Sequence, residues 1–164
     1  MDLSHLSHPE RLAVEAWQLI KNHPEQWRQE AWRSPDPTRC GTQLCWGGHV
    51  VALDGGIWVT DDPCNGFYNH VIARPGESEW SIRKIHAEHD LVFSVISVEG
   101  RLTSLFGISP DQMFRITSGD NTITDIRRAI INVLGIDPST GERVSKPEKV
   151  STCYCGNPAC VFGV

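Results

Sequence analysis

Two adjacent glycines, Gly47 and Gly48, lie inside the most apolar helical stretch of this 164-residue chain. From about Gln43 to Asp54 the residues Leu44, Cys45, Trp46, Val50, Val51 and Leu53 surround the segment instead of striping one side. That pattern marks a buried central helix, with Thr42 as its expected N-cap and Gly55-Gly56 as its stop. A glycine in a helix interior costs about 1 kcal/mol against alanine. Two in a row make sense where another element packs directly on the helix backbone.

Around this segment the helix signals are strong. Ser7-His8-Pro9-Glu10 is a capping box, after which Leu12, Ala13, Ala16, Trp17, Leu19 and Ile20 share one helical face. Asn22-His23-Pro24 ends that helix, and Pro24 suits the first turn of a short second one carrying Trp27 and Ala31. Ser34-Pro35-Asp36-Pro37 reads as a rigid turn closing it. Further on, Ser97 precedes a short helix, Val98 to Phe106, that Gly107 ends. Ser109-Pro110-Asp111-Gln112 is a second capping box, directing Met113 and Phe114 inward. Thr122 caps a last helix with the stripe Ile123, Ile126, Ile130, Val133 and Leu134, closed by Gly135.

Between residues 57 and 96 the helical period fades. Ile57-Trp58-Val59, His70-Val71-Ile72-Ala73 and Leu91 to Ile96 read as short strands, and Arg74-Pro75-Gly76-Glu77 as a turn. Trp80 to His89 fits helix and strand equally. The expected fold class is therefore mainly α (α+β). It is a single compact domain of about six helices over residues 1–136, with a small antiparallel β insertion near 57–96. Residues 137–164 form a linker and a cysteine-rich tail. The predicted core contains Leu12, Trp17, Trp27, Leu44, Val50, Leu53, Trp58, Leu105, Phe106, Ile126, Ile130 and Val133.

Composition narrows the function classes. The hydrophobic fraction is 40% and the net charge −5, which gives no support to binding nucleic acid through phosphates. No apolar run nears the roughly 20 residues of a membrane span, and the first residues lack the basic and apolar regions of an export signal. A cytoplasmic protein without a membrane partner is expected, in which the six cysteines are thiols, metal ligands or redox pairs more readily than a disulfide frame.

Three groups carry possible chemistry. Cys153, Cys155 and Cys160 cluster around a Gly-Asn-Pro turn and match a structural zinc site, with Cys64 as the first choice of fourth ligand. Free thiols and oxidised pairs are the alternatives. His86 and His89 would share a face on a helix and so suit one metal ion; a solvated polar face is the simpler reading. Cys45-Trp46 at the start of a buried helix has the makings of a nucleophile, its thiolate favoured by the helix N-terminus. His49, His70, His86 or His89 would then serve as base. The plain alternative is a buried cysteine packing beside a tryptophan.

Cys40-Gly41-Thr42-Gln43-Leu44-Cys45-Trp46-Gly47-Gly48-His49, followed by Leu53-Asp54-Gly55-Gly56-Ile57-Trp58, resembles a motif of small uncharacterised proteins from actinobacteria and their phages. Those proteins read C-G-T-x-x-C-x-A-G-[WH] there, so Gly47 replaces their usual alanine. Leu102 to Ser109 and the helix Asn121-Thr122-Ile123-Thr124-Asp125-Ile126-Arg127-Arg128 are similar to their later segments, the second to an N-T-x-x-D-L-R-R pattern. The resemblance implies a mostly helical small fold and a structural place for Cys40 and Cys45. It also implies a phage or actinobacterial setting, with no activity attached. The expected function is thus a noncatalytic phage-type accessory protein in the host cytoplasm, binding a host protein and modulating a host process. The alternative is a cysteine-dependent hydrolase using Cys45 and a histidine base such as His49. The oligomeric state is not legible.

Overall fold

The Gly47-Gly48 helix sits at the centre of a mainly helical α+β domain. A computed structural model describes residues 1–35, 42–59, 69–77, 82–86 and 92–144. Helix α1 (His8–Asn22) runs into a single 3₁₀ turn (Pro24–Gln26), and strands β1 (Arg33–Pro35) and β2 (Thr42–Leu44) pair antiparallel ahead of helix α2 (Trp46–Leu53). Strands β3 (Trp58–Val59), β4 (His70–Ile72), β5 (Ile82–His86) and β6 (Val92–Ser97) follow, then helices α3 (Val98–Phe106), α4 (Pro110–Thr117) and α5 (Ile123–Leu134). The last four strands form an antiparallel sheet in the order β3-β4-β6-β5. The described residues thus hold five α-helices and one 3₁₀ turn around a small antiparallel insertion. The cysteine-rich tail lies outside them.

Local chemistry explains most boundaries. The Glu10 carboxylate accepts from Ser7 N at 2.8 Å, and Gln112 and Ser109 exchange reciprocal bonds of 3.0 and 3.2 Å, so both capping boxes form. Asp125 N donates to the Thr122 hydroxyl at 3.3 Å, and Gly100 N to that of Ser97 at 3.1 Å. Helices α3 and α5 end on Gly107 and Gly135, at φ +61° and +72°, where a side chain would be strained.

Several expectations need correction. Thr42 lies in β2, and the N-cap of α2 is Cys45, so the helix starts at Trp46. The short helix through Trp27 and Ala31 is not formed. Pro24–Gln26 makes one 3₁₀ turn and Arg28–Ala31 a separate single turn, because Arg28 N donates to Leu44 O and Cys45 N to Ala31 O, which ties this segment to the start of α2 instead of letting it continue as a helix. Ser34 and Pro35, expected in a turn, belong to strand β1, while Asp36 and Pro37 of that turn lie outside the described residues. The ambiguous stretch near Trp80 is strand over Ile82–His86. Phe114 points outward at 65% exposure while Met113 is fully buried. Residues 137–144, read as the start of a linker, dock on the body: Gln18 Nε2 donates to Pro138 O at 2.9 Å, and Arg143 pairs with Glu10.

The main core joins α1, α2, the sheet and α3–α5 through residues such as Trp17, Trp46, Val50, Ile96, Leu102, Ile116 and Ile130. Of the predicted core, Leu12, Trp17, Val50, Ile126, Ile130 and Val133 are buried, while Trp27, Trp58, Leu105 and Phe106 pack against it half-buried. Leu44 is half-buried and Leu53 is 40% exposed. Trp46 stacks on Phe106 with ring centres 5.8 Å apart and donates its indole N–H to Ala13 O at 3.2 Å.

The glycines meet their partners as the sequence requires. A methyl group at Gly48 would land on the carbonyl oxygen of Trp32 and within 3.0 Å of Leu44 Cδ2. One at Gly47 would lie 2.7 Å from both Leu102 Cδ1 and the Trp32 ring. Side chains can yield at Gly47, but only backbone can yield at Gly48. We expect Gly48→Ala to lose about 3 kcal/mol or more in urea unfolding, and Gly47→Ala to lose roughly 1 kcal/mol as Leu102 and Trp32 repack. A Gly48→Ala protein as stable as the parent would contradict this packing.

Candidate functional site

The first turn of α2 has backbone N–H groups with no partner inside the helix. Two side chains meet them. Gly48 N donates to Cys45 Sγ at 3.3 Å, and Trp46 N donates to Gln29 Oε1 at 3.3 Å. Gln29 is 8% exposed, yet its amide is fully used. Its oxygen also accepts from the Trp27 indole at 3.1 Å, and its nitrogen donates to Ile116 O and Ser118 O. Four bonds exhaust the capacity of a primary amide. Gln29 was missed in the sequence. The available signal was an amide beside tryptophans that each need an acceptor.

This environment decides what Cys45 can do. Its side chain is buried, and burial pushes the thiol pKa up to about 12, against the pull of the Gly48, Gly47 and Cys45 backbone amides. Desolvation of the thiolate outweighs the helix N-terminus, so Cys45 is a neutral packing and capping group. His49, one turn later, is also buried. Among the described residues its Nε2 has no hydrogen-bond partner, and burial holds the ring below its usual pKa, with the Gln26 backbone pulling the other way. Both belong to the core, which argues against the nucleophile–base pair read from the sequence.

Of the remaining expected site residues, the two described ones, His70 and His86, stand on separate strands. His70 stands on β4 opposite Val59 and Ser97. His86 ends β5 opposite Val92, on strand instead of the helix that a shared metal with His89 requires. His89, Cys40, Cys64, Cys153, Cys155 and Cys160 lie outside the described residues. Among the described residues, no group of three or more metal-ligating side chains occurs.

A charge cluster ties the end of α2 to the sheet. Asp54, the α2 C-cap, is 5% exposed at a helix end where negative charge is unfavourable. Two guanidinium groups offset it: Arg74 Nη1 donates at 2.6 Å and Arg101 Nη1 lies at 3.7 Å, with the His8 ring nitrogen Nε2 at 3.2 Å. Arg101 is itself buried. It pairs with Glu77 and donates to Ile72 O at 2.7 Å. Glu77 closes its own turn by accepting from Arg74 N at 2.7 Å. Two carboxylates face two guanidinium groups, and although Arg101 Nε and Nη1 make ion pairs without a well-aligned hydrogen bond among the described residues, these charges fasten the turn after β4 to the helices.

Among the described residues, an open groove runs along the outer face of α1. Met1, Leu3, Val14, Leu19 and Leu53 line a groove of about 420 Å³, with Glu15, Gln18, Asn22 and His23 among its polar residues. Glu15, Gln18, Leu19 and Asn22 recur at helical spacing on the outward face of α1. Leu53, which was expected in the core, instead walls this groove. No helix among the described residues is long and apolar enough to cross a membrane. Comparison with family models, curated proteins and solved structures finds no match.

Two titrating groups predict the pH dependence of stability. His49 has a folded pKa below 6.5, so the unfolded chain binds its proton more readily and stability falls as pH drops through 6.5. Asp137 is lowered from 3.8 to about 2, first by the Arg127 hydrogen bond and, against burial, by Ser139. Its contribution is present above 3.8 and is lost as pH falls toward 2. Urea unfolding from pH 8 to pH 2 is expected to show both losses, with His49→Gln flattening the first and Asp137→Asn the second. An unchanged slope in either variant would refute the corresponding assignment.

Proposed function

We propose that the chain is a noncatalytic accessory protein of the phage type, working in the cytoplasm of a bacterial host by binding a host protein and so modulating a host process. The observation that carries the reading is the groove along α1: an apolar floor from Met1, Leu3, Val14, Leu19 and Leu53, beside the exposed carboxylate of Glu15. Apolar surface of this kind on a charged protein is what partner sites are built from. The resemblance of the Cys40–His49 and Asn121–Arg128 segments to small actinobacterial and phage proteins supplies the setting. A structural zinc held by Cys153, Cys155, Cys160 and Cys64 belongs to the same proposal and is supported by their spacing. The buried, neutral thiol of Cys45 weakens the hydrolase alternative.

The reading is tested in two arms. A photo-crosslinking amino acid at position 19, in an actinobacterial lysate, is expected to give a discrete adduct with one host protein that the same group at position 128, on α5, does not give. Iodoacetamide at pH 8 is expected to leave Cys45 of the native protein unmodified, as read by mass spectrometry, and to label it in urea. Diffuse labelling identical at both positions, together with rapid native alkylation of Cys45, would replace this reading with the enzymatic one.

A further inference from the structure

The groove's shape and charge narrow what its partner presents. The wall from Val14 to Asn22 is nine residues of helix, about 12 Å from end to end. Its outward residues lie along one straight ridge, a geometry that a second helix packs against. The floor is apolar at both edges, with Leu19 on α1, Leu53 at the end of α2, and Met1 and Leu3 opposite. Of the ionisable side chains that line it, His23 lies 3.4 Å from Glu25. Glu15 makes no hydrogen bond or ion pair with any described residue, although the neighbouring carboxylate Glu10 is paired with Arg143. The chain as a whole carries −5.

We infer that the groove receives an amphipathic helix of two to three turns whose apolar stripe, at i, i+3 or i+4, and i+7, is flanked by Lys or Arg facing Glu15. This rests on the partner-binding reading above and names the class of partner. An apolar helix face laid into a groove buries its stripe, while the flanking cation meets Glu15 and selects against acidic helices by charge repulsion. The net charge of −5 works against a second copy as the occupant, and sedimentation tests that case.

Two labelled helical peptides with the same leucine stripe test this on the full-length protein, one flanked by lysines and one by glutamates. The lysine peptide is expected to bind at least about fivefold more tightly, a preference that shrinks in high salt. Glu15→Lys is expected to reverse the preference. Leu19→Asp is expected to weaken both peptides roughly tenfold or more, the loss typical of a central apolar anchor. Circular dichroism checks that both surface variants fold. Equal affinity for the two peptides, a preference unmoved by Glu15→Lys, or no saturable binding would overturn the inference. So would a dimer in sedimentation that Leu19→Asp abolishes, which would assign the groove to a second copy. A host adduct from position 19 alongside failed peptides refutes only the helix class; loss of that adduct refutes the partner reading itself.

Discussion

The carbonyl of Trp32 rests directly on the backbone of α2 at Gly48, and the rest of the structure is arranged around that contact. No side chain fits between them, and the segment from Trp27 to Trp32, with a single turn at Arg28–Ala31, is bonded to the start of α2 instead of forming a helix. Gln29 is thereby carried inside, where its amide caps Trp46 and reaches back to the α4 end at Ile116 and Ser118. One close approach between backbones thus brings α2, the chain before it and α4 into register. The cost is a buried polar group, and it is offset because each of its four bonds is made.

What was legible in the sequence follows the same division. Capping boxes at Ser7 and Ser109, the Thr122 cap, and the stops at Gly107 and Gly135 are local chemistry, and local chemistry reads directly from residue order. The glycine pair was legible because its helix propensity cost demands a packing reason. The helix expected through Trp27 and Ala31 failed because tertiary hydrogen bonds to Leu44 and Ala31 outweigh a weak local preference. Thr42 looked like a cap for the same cause. Strand pairing with β1 takes Thr42–Leu44 into the small sheet and leaves the capping to Cys45.

The functional features divide the other way. The cysteine-histidine pair stood out in the sequence because of residue type, yet burial turns both into core. The groove was invisible because Leu19 and Leu53 look like core positions on their own helices. Only the placement of residues 1 to 3 against the docked turn at Gly141 shows that they line a surface. The Asp54 cluster fixes one side of α2 through Arg74 and Arg101, so the side bearing the groove is held against a rigid body.

Residue-resolved amide hydrogen exchange tests the central place of the α2 seat most directly. If the Gly48–Trp32 contact and the Gln29 amide organise the domain, the amides of Cys45, Trp46, Val50 and Val51 exchange only through global unfolding. Their exchange free energies then equal the stability measured in urea. The contrary result is exchange of these amides well below the global value while Ile126 to Val133 of α5 stay protected. That would show that α2 opens independently and that another contact holds the fold together.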